Sequence, residues 1–411
     1  MDDASTIDDA RTVGARIRVL REWRGMHQRT LADLVGLSQP HLSKIERGRQ
    51  ALDKRSHIAS FARALRVSEA DIIGGPHLSA DPVQSAPHAG IPALRVALET
   101  NTITSPACDR ARPLEELVRE VADRIEPMRR TCDYATIGDL LPGVIDELYV
   151  HIAAPEDEYA YRVALETLID ACNVAAFTAK VLSYPDLAHV IAVRADEAAT
   201  ILGDPVQRGK TQFLIVQTMP REGWRRTLNA AERAANTLEP HVHDPLGIQT
   251  LGMLTLSAAM SAAACKDHDG AKHWLDEATS LAGRIDDDPD HAWQGFSSTN
   301  VNIWRIGVEV ERGQSGPIML DMAKSVHGEK LGNYHARKAD FIADVGRGLA
   351  REKKTRSTAV QWLRRAEDVA PQRIRNSQPV RHTVEVLHTQ ALDSAVSVEL
   401  RGMMARMSIP H

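Results

Sequence analysis

Aromatic side chains are scarce, at 4% of 411 residues, while alanine and leucine recur throughout. Strands draw on β-branched and aromatic residues, so this composition favours helix over sheet. Cysteine is scarce too. Cys108, Cys132, Cys172 and Cys265 stand 24, 40 and 93 residues apart. Those gaps fit neither a metal knuckle nor a redox pair, so buried thiols in a reducing, cytoplasmic compartment are expected. The chain opens MDDASTIDD, without the basic-then-apolar layout of a secretory signal. One uncharged stretch, Pro245 to Cys265, is long enough to suggest a membrane span. Its small and hydroxylated residues, with Gln249 inside, point to a buried soluble helix instead, and no membrane partner is expected. There is no HExxH, no GxSxG and no Cys/His nucleophile context. Neither an enzyme nor a cofactor is expected.

Hydrophobic residues make up 43% and charged residues 26%, enough for a sizeable core and two to four domains. The net charge of -5 hides an asymmetry. Residues 1–10, an acidic tail, carry four Asp and no base. Residues 11–75 carry thirteen Lys/Arg against six Asp/Glu, for +7, which leaves -8 for the remainder. A local basic module is the footprint of phosphate contact even in an acidic chain.

Within that module the apolar spacing predicts five short helices. They span about residues 12–23, 28–35, 39–47, 55–65 and 68–73. Gly36-Leu37-Ser38 forms a tight turn, Ser38 caps the third helix, and Pro40 sits in its first turn where a missing N–H costs little. Leu31, Leu34, Leu42, Ile45 and Leu65 are expected in the core, with Ala32 inward beside them. Helix, Gly-containing turn, helix is the helix-turn-helix layout. The stretch HQRTLADLVGLSQPHLSKIERGRQ resembles the phage-repressor-like, or XRE, family through Gln28, Leu31-Ala32, Gly36-Leu37-Ser38 and Ile45-Glu46-Arg47-Gly48. The resemblance implies that the third helix enters the major groove and that residues after the Ser38 cap read bases. On this sequence those are Gln39, Pro40 and Lys44, with His41 and Ser43 beside them. Gln39 suits adenine, Lys44 suits guanine, and Pro40 offers only apolar contact. Gln28 resembles the residue that anchors helix 2 to phosphate, and Arg47, Arg49, Lys54 and Arg55 look like phosphate clamps.

Residues 76–92, PHLSADPVQSAPHAGIP, lack a periodic apolar pattern and read as a linker that lets the module reposition. From 93 to 411, thirteen helices are predicted, at about 111–130, 134–152, 157–183, 185–202, 205–219, 222–238, 245–265, 270–284, 291–312, 316–326, 333–350, 357–369 and 378–393. Helix pairs on short loops suggest a solenoid. Ala259, Ala271, Leu275 and Ala278 occupy small and apolar positions like those of a tetratricopeptide repeat. So do Ala359, Leu363, Ala366 and Pro371, and more weakly Trp224, Thr227, Ala231, Ala234 and Pro240, then Gly316, Leu320 and Ala323. The expected fold is all-α: a five-helix helix-turn-helix domain followed by a tetratricopeptide-like solenoid.

The whole chain resembles actinobacterial regulators that join these two parts. Its 39 Arg against 11 Lys suit a high-GC genome. Gly295-Phe-Ser-Ser-Thr-Asn-Val301 and Ala366-Glu-Asp-Val-Ala-Pro371 look like that group. The architecture is also similar to bacterial peptide-pheromone receptors, whose repeats hold a peptide on a concave face. The resemblance implies double-stranded DNA with a two-fold symmetric operator, a homodimer, and a peptide or small-molecule effector. Polar residues on the first helix of each pair are candidate effector contacts: Gln212, Gln217, Gln249, Asn300, Asn302, Arg305, Asn333, His335 and Arg337. A repeat scaffold for a protein partner is the alternative, but it does not need the basic module.

Three other constellations carry little. Gly203 to Thr211 mimics a phosphate loop but has five residues between its glycines, so Asp204 and Pro205 are expected to cap and start a helix. His241, His243 and Asp244 fall between helices with no further metal ligand fixed by sequence. Asp286 to Asp290 lacks calcium-loop spacing and is expected to be solvated.

Overall fold

Helix starts in this chain are written in its capping residues. Thr12, Ser38, Ser68, Asp133, Asp157, Asp244 and Asp267 each accept a first-turn backbone N–H. Asp204 does so twice, from Val206 and Gln207, which confirms that the phosphate-loop look-alike is a cap. The computed structural model describes residues 10, 12–52, 54–76, 81–220, 223–391 and 396–409. Most of the acidic tail, residues 1–9, lies outside the described residues. The described residues contain no strand; a single isolated bridge joins Thr102 and Ser105.

The N-terminal module comprises α1 (Val13–Trp23), α2 (Gln28–Val35), α3 (Gln39–Glu46), α4 (Arg55–Leu65) and α5 (Glu69–Ile73). Ile17, Leu31, Leu42, Ile45, Phe61 and Leu65 form its own core. One expected core residue is outside it. Leu34 is 60% exposed, and Val35 is buried in its stead. The buried stripe of α2 is Leu31, Ala32 and Val35, at i, i+1 and i+4, which turns position 34 to solvent.

The stretch expected as a linker is largely folded. Asp81 caps α6 (Pro82–Ala89), and α7 (Ile91–Thr100) follows directly. Pro82 and Pro92 occupy first-turn positions, where proline is tolerated. His88 fixes α6 from the inside: its Nδ1 is 3.2 Å from the Tyr184 hydroxyl and its Nε2 is 3.0 Å from Asn376 Oδ1.

Next come α8 (Leu114–Arg119), a π-helical turn (Glu120–Ile125), α9 (Glu126–Thr131) and α10 (Tyr134–Ala153). The paired helices are α11 (Glu158–Val181), α12 (Pro185–Leu202), α13 (Pro205–Thr218), α14 (Trp224–Leu238), α15 (Pro245–Ala264), α16 (His268–Ala282), α17 (Ser298–Arg312), α18 (Ile318–Ala323), α19 (His335–Ala350) and α20 (Arg356–Val369). The chain ends with α21 (Pro371–Asn376), α22 (Gln378–Gln390) and α23 (Val396–Arg406). α11, α13, α15, α17 and α19 touch in succession as an inner row, each also packed on the helix that follows it or precedes it. This long helical region is consistent with a helical solenoid.

α15 is the membrane-length apolar helix. Every residue from Gly247 to Ala264 is buried except Gln249, so it is the core of the solenoid. Ala259, Ala271, Leu275 and Ala278 are all buried, as are Ala359, Leu363 and Ala366. In the fourth copy, Leu320 and Ala323 are only half-buried and Met319 is the core residue. The helix predicted over 291–312 starts seven residues late, because Gln294 and Gly295 both have positive φ and break the run. Cys132 and Cys172 are buried; Cys108 and Cys265 are half-buried.

Candidate nucleic-acid interface

α3 is presented by three local devices. Ser38 Oγ accepts the His41 N–H, Gly36 closes α2 at φ 71°, and Gly14 lets α1 pass against the end of α3. A Cβ at position 14 would overlap the Ile45 carbonyl oxygen. Gln39, Pro40, Lys44 and Arg47 are exposed and His41 is half-buried. The exposed face of α3 thus offers an amide and an apolar ring at its N-terminus and an ammonium in its last turn.

A polar chain runs from the core to that surface. Arg21 is buried and donates Nε to Glu46 Oε1 at 2.7 Å and Nη2 to Oε2 at 3.2 Å. The hydrogen bond to Glu46 raises the Arg21 pKa, so the guanidinium stays charged. Gln28 Nε2 donates to Glu46 Oε2 at 2.7 Å, and Gln28 Oε1 accepts from Gln39 Nε2 at 2.9 Å. Gln28 therefore sets the position of Gln39, a role beyond the phosphate anchoring implied by the resemblance.

Three other expected contact residues also make contacts within the chain. Ser43 is 7% exposed, and Arg47 binds both its carbonyl oxygen, at 3.1 Å, and its hydroxyl. Ser43 is thereby a partner of Arg47 within the helix, beside the surface that Gln39 and Lys44 present. Lys54 Nζ lies 3.4 Å from the Arg312 carbonyl oxygen. The Arg55 and Ser56 N–H groups donate to Glu311 at 2.8 and 2.9 Å. Lys54 and Arg55 thus stand where α4 meets α17. The reason is simple: the uncapped N-terminus of α4 needs acceptors, and the buried Glu311 carboxylate supplies them. Arg49 remains exposed, with its carbonyl oxygen held by Gln390 at 2.6 Å.

An open cleft of about 440 Å³ is lined by Gln39, Pro40, Ser43, Lys44, Arg47, Arg49, Gln50 and Arg356. Arg356 was not foreseen. The charge run Arg351-Glu-Lys-Lys-Thr-Arg356 could have flagged it, but nothing local says it lies beside α3.

The candidate effector contacts are scattered along the inner row, and most engage other parts of the chain. Gln212 donates to Asp196 at 2.9 Å. Gln217 accepts from Lys180 at 3.0 Å and donates to Ser257 at 2.9 Å. Gln249 accepts the Trp293 N–H at 2.9 Å. Asn300 is fully buried near Met253 and Gln294, with its Oδ1 lacking a partner among the described residues. Asn302 donates to the Ser325 carbonyl oxygen and Arg305 to Thr279. Arg337 stacks on Trp304 at 5.5 Å. Asn333 is exposed and His335 half-buried at the start of α19.

The concave face expected for an effector is covered by the chain itself. α9 touches both α11 and α19. Its Arg129 is buried between Phe177 and Tyr334 and paired with Glu126 at 2.6 Å. The neighbouring Arg130 binds the Asp290 carbonyl oxygen. The loop before α17 folds over the same row: Trp293 packs edge-on to Phe213, and Gln294 donates to Asn173 at 2.9 Å. Within that loop Asp287 is not merely solvated. It accepts from the Thr299 backbone and hydroxyl and from Lys330, which lowers its pKa against the cost of burial. His241 and His243 are exposed, and Asp244 serves as the cap of α15.

Residues 12–72 match a family model described as the helix-turn-helix domain. No curated protein and no solved structure matches the chain. Geometry and match together define the N-terminal module as a helix-turn-helix domain, which supports a DNA-binding regulator.

Proposed function

We propose that this protein is a cytoplasmic, sequence-specific transcriptional regulator of the phage-repressor-like class, without enzymatic activity. The observation that carries the reading is α3. A helix within the matched helix-turn-helix domain exposes Gln39 and Pro40 at its N-terminus and Lys44 in its last turn, while Glu46 anchors its end in the core. One such module reads a half-site, so the protein acts as a homodimer on a two-fold symmetric operator. The helical hairpins serve as a tetratricopeptide-like body that holds the dimer and takes up a peptide or small-molecule signal. A signal changes DNA affinity only if it binds the two arrangements of the modules differently. With α9 and the 285–297 loop over the inner row, signal uptake involves displacing one of these segments.

The test is selection of fragmented genomic DNA by the purified chain, with and without host extract. Enrichment of a two-fold symmetric site supports regulator and dimer together. A change with extract supports a sensed signal. No enrichment in either condition rejects the regulator reading in favour of a protein-binding scaffold.

A further inference from the structure

We propose that the basic turn between α19 and α20, residues 351–356, is a second DNA-backbone contact, supplied by the repeat domain. This rests on the reading of the N-terminal module as a DNA binder. Residues 76–411 are acidic on balance, yet this turn holds Arg351, Lys353, Lys354 and Arg356 against the single acid Glu352. Arg356 lines the same cleft as Gln39, Lys44 and Arg47, so the turn and the exposed face of α3 border one solvent-filled space.

The turn is built to present its charges. Thr355 is buried and its hydroxyl donates to the Leu349 carbonyl oxygen at 2.6 Å. Arg351 Nη1 donates to the Gln314 carbonyl oxygen at 3.0 Å, and Glu352 accepts from Ser315 at 2.7 Å. Glu352 is thus turned toward α18, while Lys353 and Lys354 are exposed. The Arg356 Nε is buried with no hydrogen-bond partner among the described residues. That nitrogen is closed to solvent, so what a phosphate in the cleft would meet is the part of Arg356 that lines it, with the exposed Lys353 and Lys354 beside it.

Orientation is fixed independently. Leu52 donates its N–H to His382 Nε2 at 2.9 Å, Glu311 caps α4, and Gln390 holds Arg49. These contacts keep α3 and the turn on one side of the molecule. A helix in the major groove is flanked by phosphates, which lysine and arginine side chains beside its ends reach.

The experiment measures Kd of the full-length protein for its selected operator and for an unrelated duplex, across a salt series. Lys353→Ala with Lys354→Ala is the main variant, because both side chains are exposed and the fold does not depend on them. Lys353→Glu with Lys354→Glu strengthens the effect, and thermal unfolding verifies that each variant is folded. Neutralising phosphate contacts weakens binding uniformly across sequences and flattens the salt dependence by about 0.9 per contact. The expected result is roughly a tenfold loss on both duplexes at low salt, with a slope smaller by about 2. Gln39→Ala should lower affinity for the operator alone. Unchanged affinity and slope in the lysine variants overturn the proposal while leaving the DNA-binding module intact. A gain in affinity also overturns it, since the turn would then obstruct the groove. Wild-type protein that binds neither duplex overturns both this inference and the reading beneath it.

Discussion

Gln39 and Gln28 are hydrogen-bonded before any DNA arrives. A bidentate contact to adenine uses the amide oxygen and one N–H of glutamine. The other N–H of Gln39 goes to Gln28, so its amide plane is preset. Replacing Gln39 and Lys44 by alanine should each cost about 1–3 kcal/mol of operator affinity, read as Kd against a mismatched duplex. Gln28→Ala should cost about 1 kcal/mol on the operator, through loss of orientation. Beneath them lies the Arg21–Glu46 pair, with the Glu46 side chain only 2% exposed. Removing one member of a buried pair strands the other, so Glu46→Ala should destabilise the module by about 3–5 kcal/mol. Thermal unfolding of the variant against wild type measures this.

At the scale of elements, α6 is the segment that sequence patterning missed. Its two prolines and the glycine that follows read as breakers, yet Pro82 starts the helix and Pro87 lies buried within it. What holds α6 is His88, whose partners stand 96 and 288 residues away. No local window contains that information. Burial lowers the His88 pKa below its ordinary 6.5. The unfolded chain therefore binds the proton more readily, and stability is lost as pH falls below about 6.5. Replacing His88 by Gln should flatten unfolding midpoints measured between pH 7 and 5. By contrast, α1 to α5 were legible almost to the residue, because caps, glycine turns and apolar stripes are local. The one slip there, Leu34 for Val35, is an error of one position around a helix. The exposed face of α3 was legible for the same reason. Lys54, Arg55 and Arg356 were not, because what they face is set by α17 and by the packing of α19 on α20.

For the whole molecule, the expectation of a freely repositioning module meets a docked one. Glu311 is buried and serves two backbone donors of α4, while His382 accepts from Leu52. Glu311→Ala with His382→Ala should release the module. Hydrogen exchange at Leu52, Arg55 and Ser56 should then rise strongly while amides in α15 stay protected. The body itself joins its two ends. Tyr134 and Ala135 N–H groups meet Gln372, Arg373 binds the Tyr134 hydroxyl at 3.0 Å and Asp340 at 2.7 Å, and His88 meets Asn376. An open repeat array can fray from its ends, because each unit needs only its neighbours. Here α6 and α10 lean on α21, so fraying at either place must break contacts with the other. During synthesis, α6 and α10 emerge long before α21 exists, so these helices are secured only once α21 has been made. Truncation at about residue 370 should therefore loosen the segment around residue 134, more than two hundred residues away, and not only the new end.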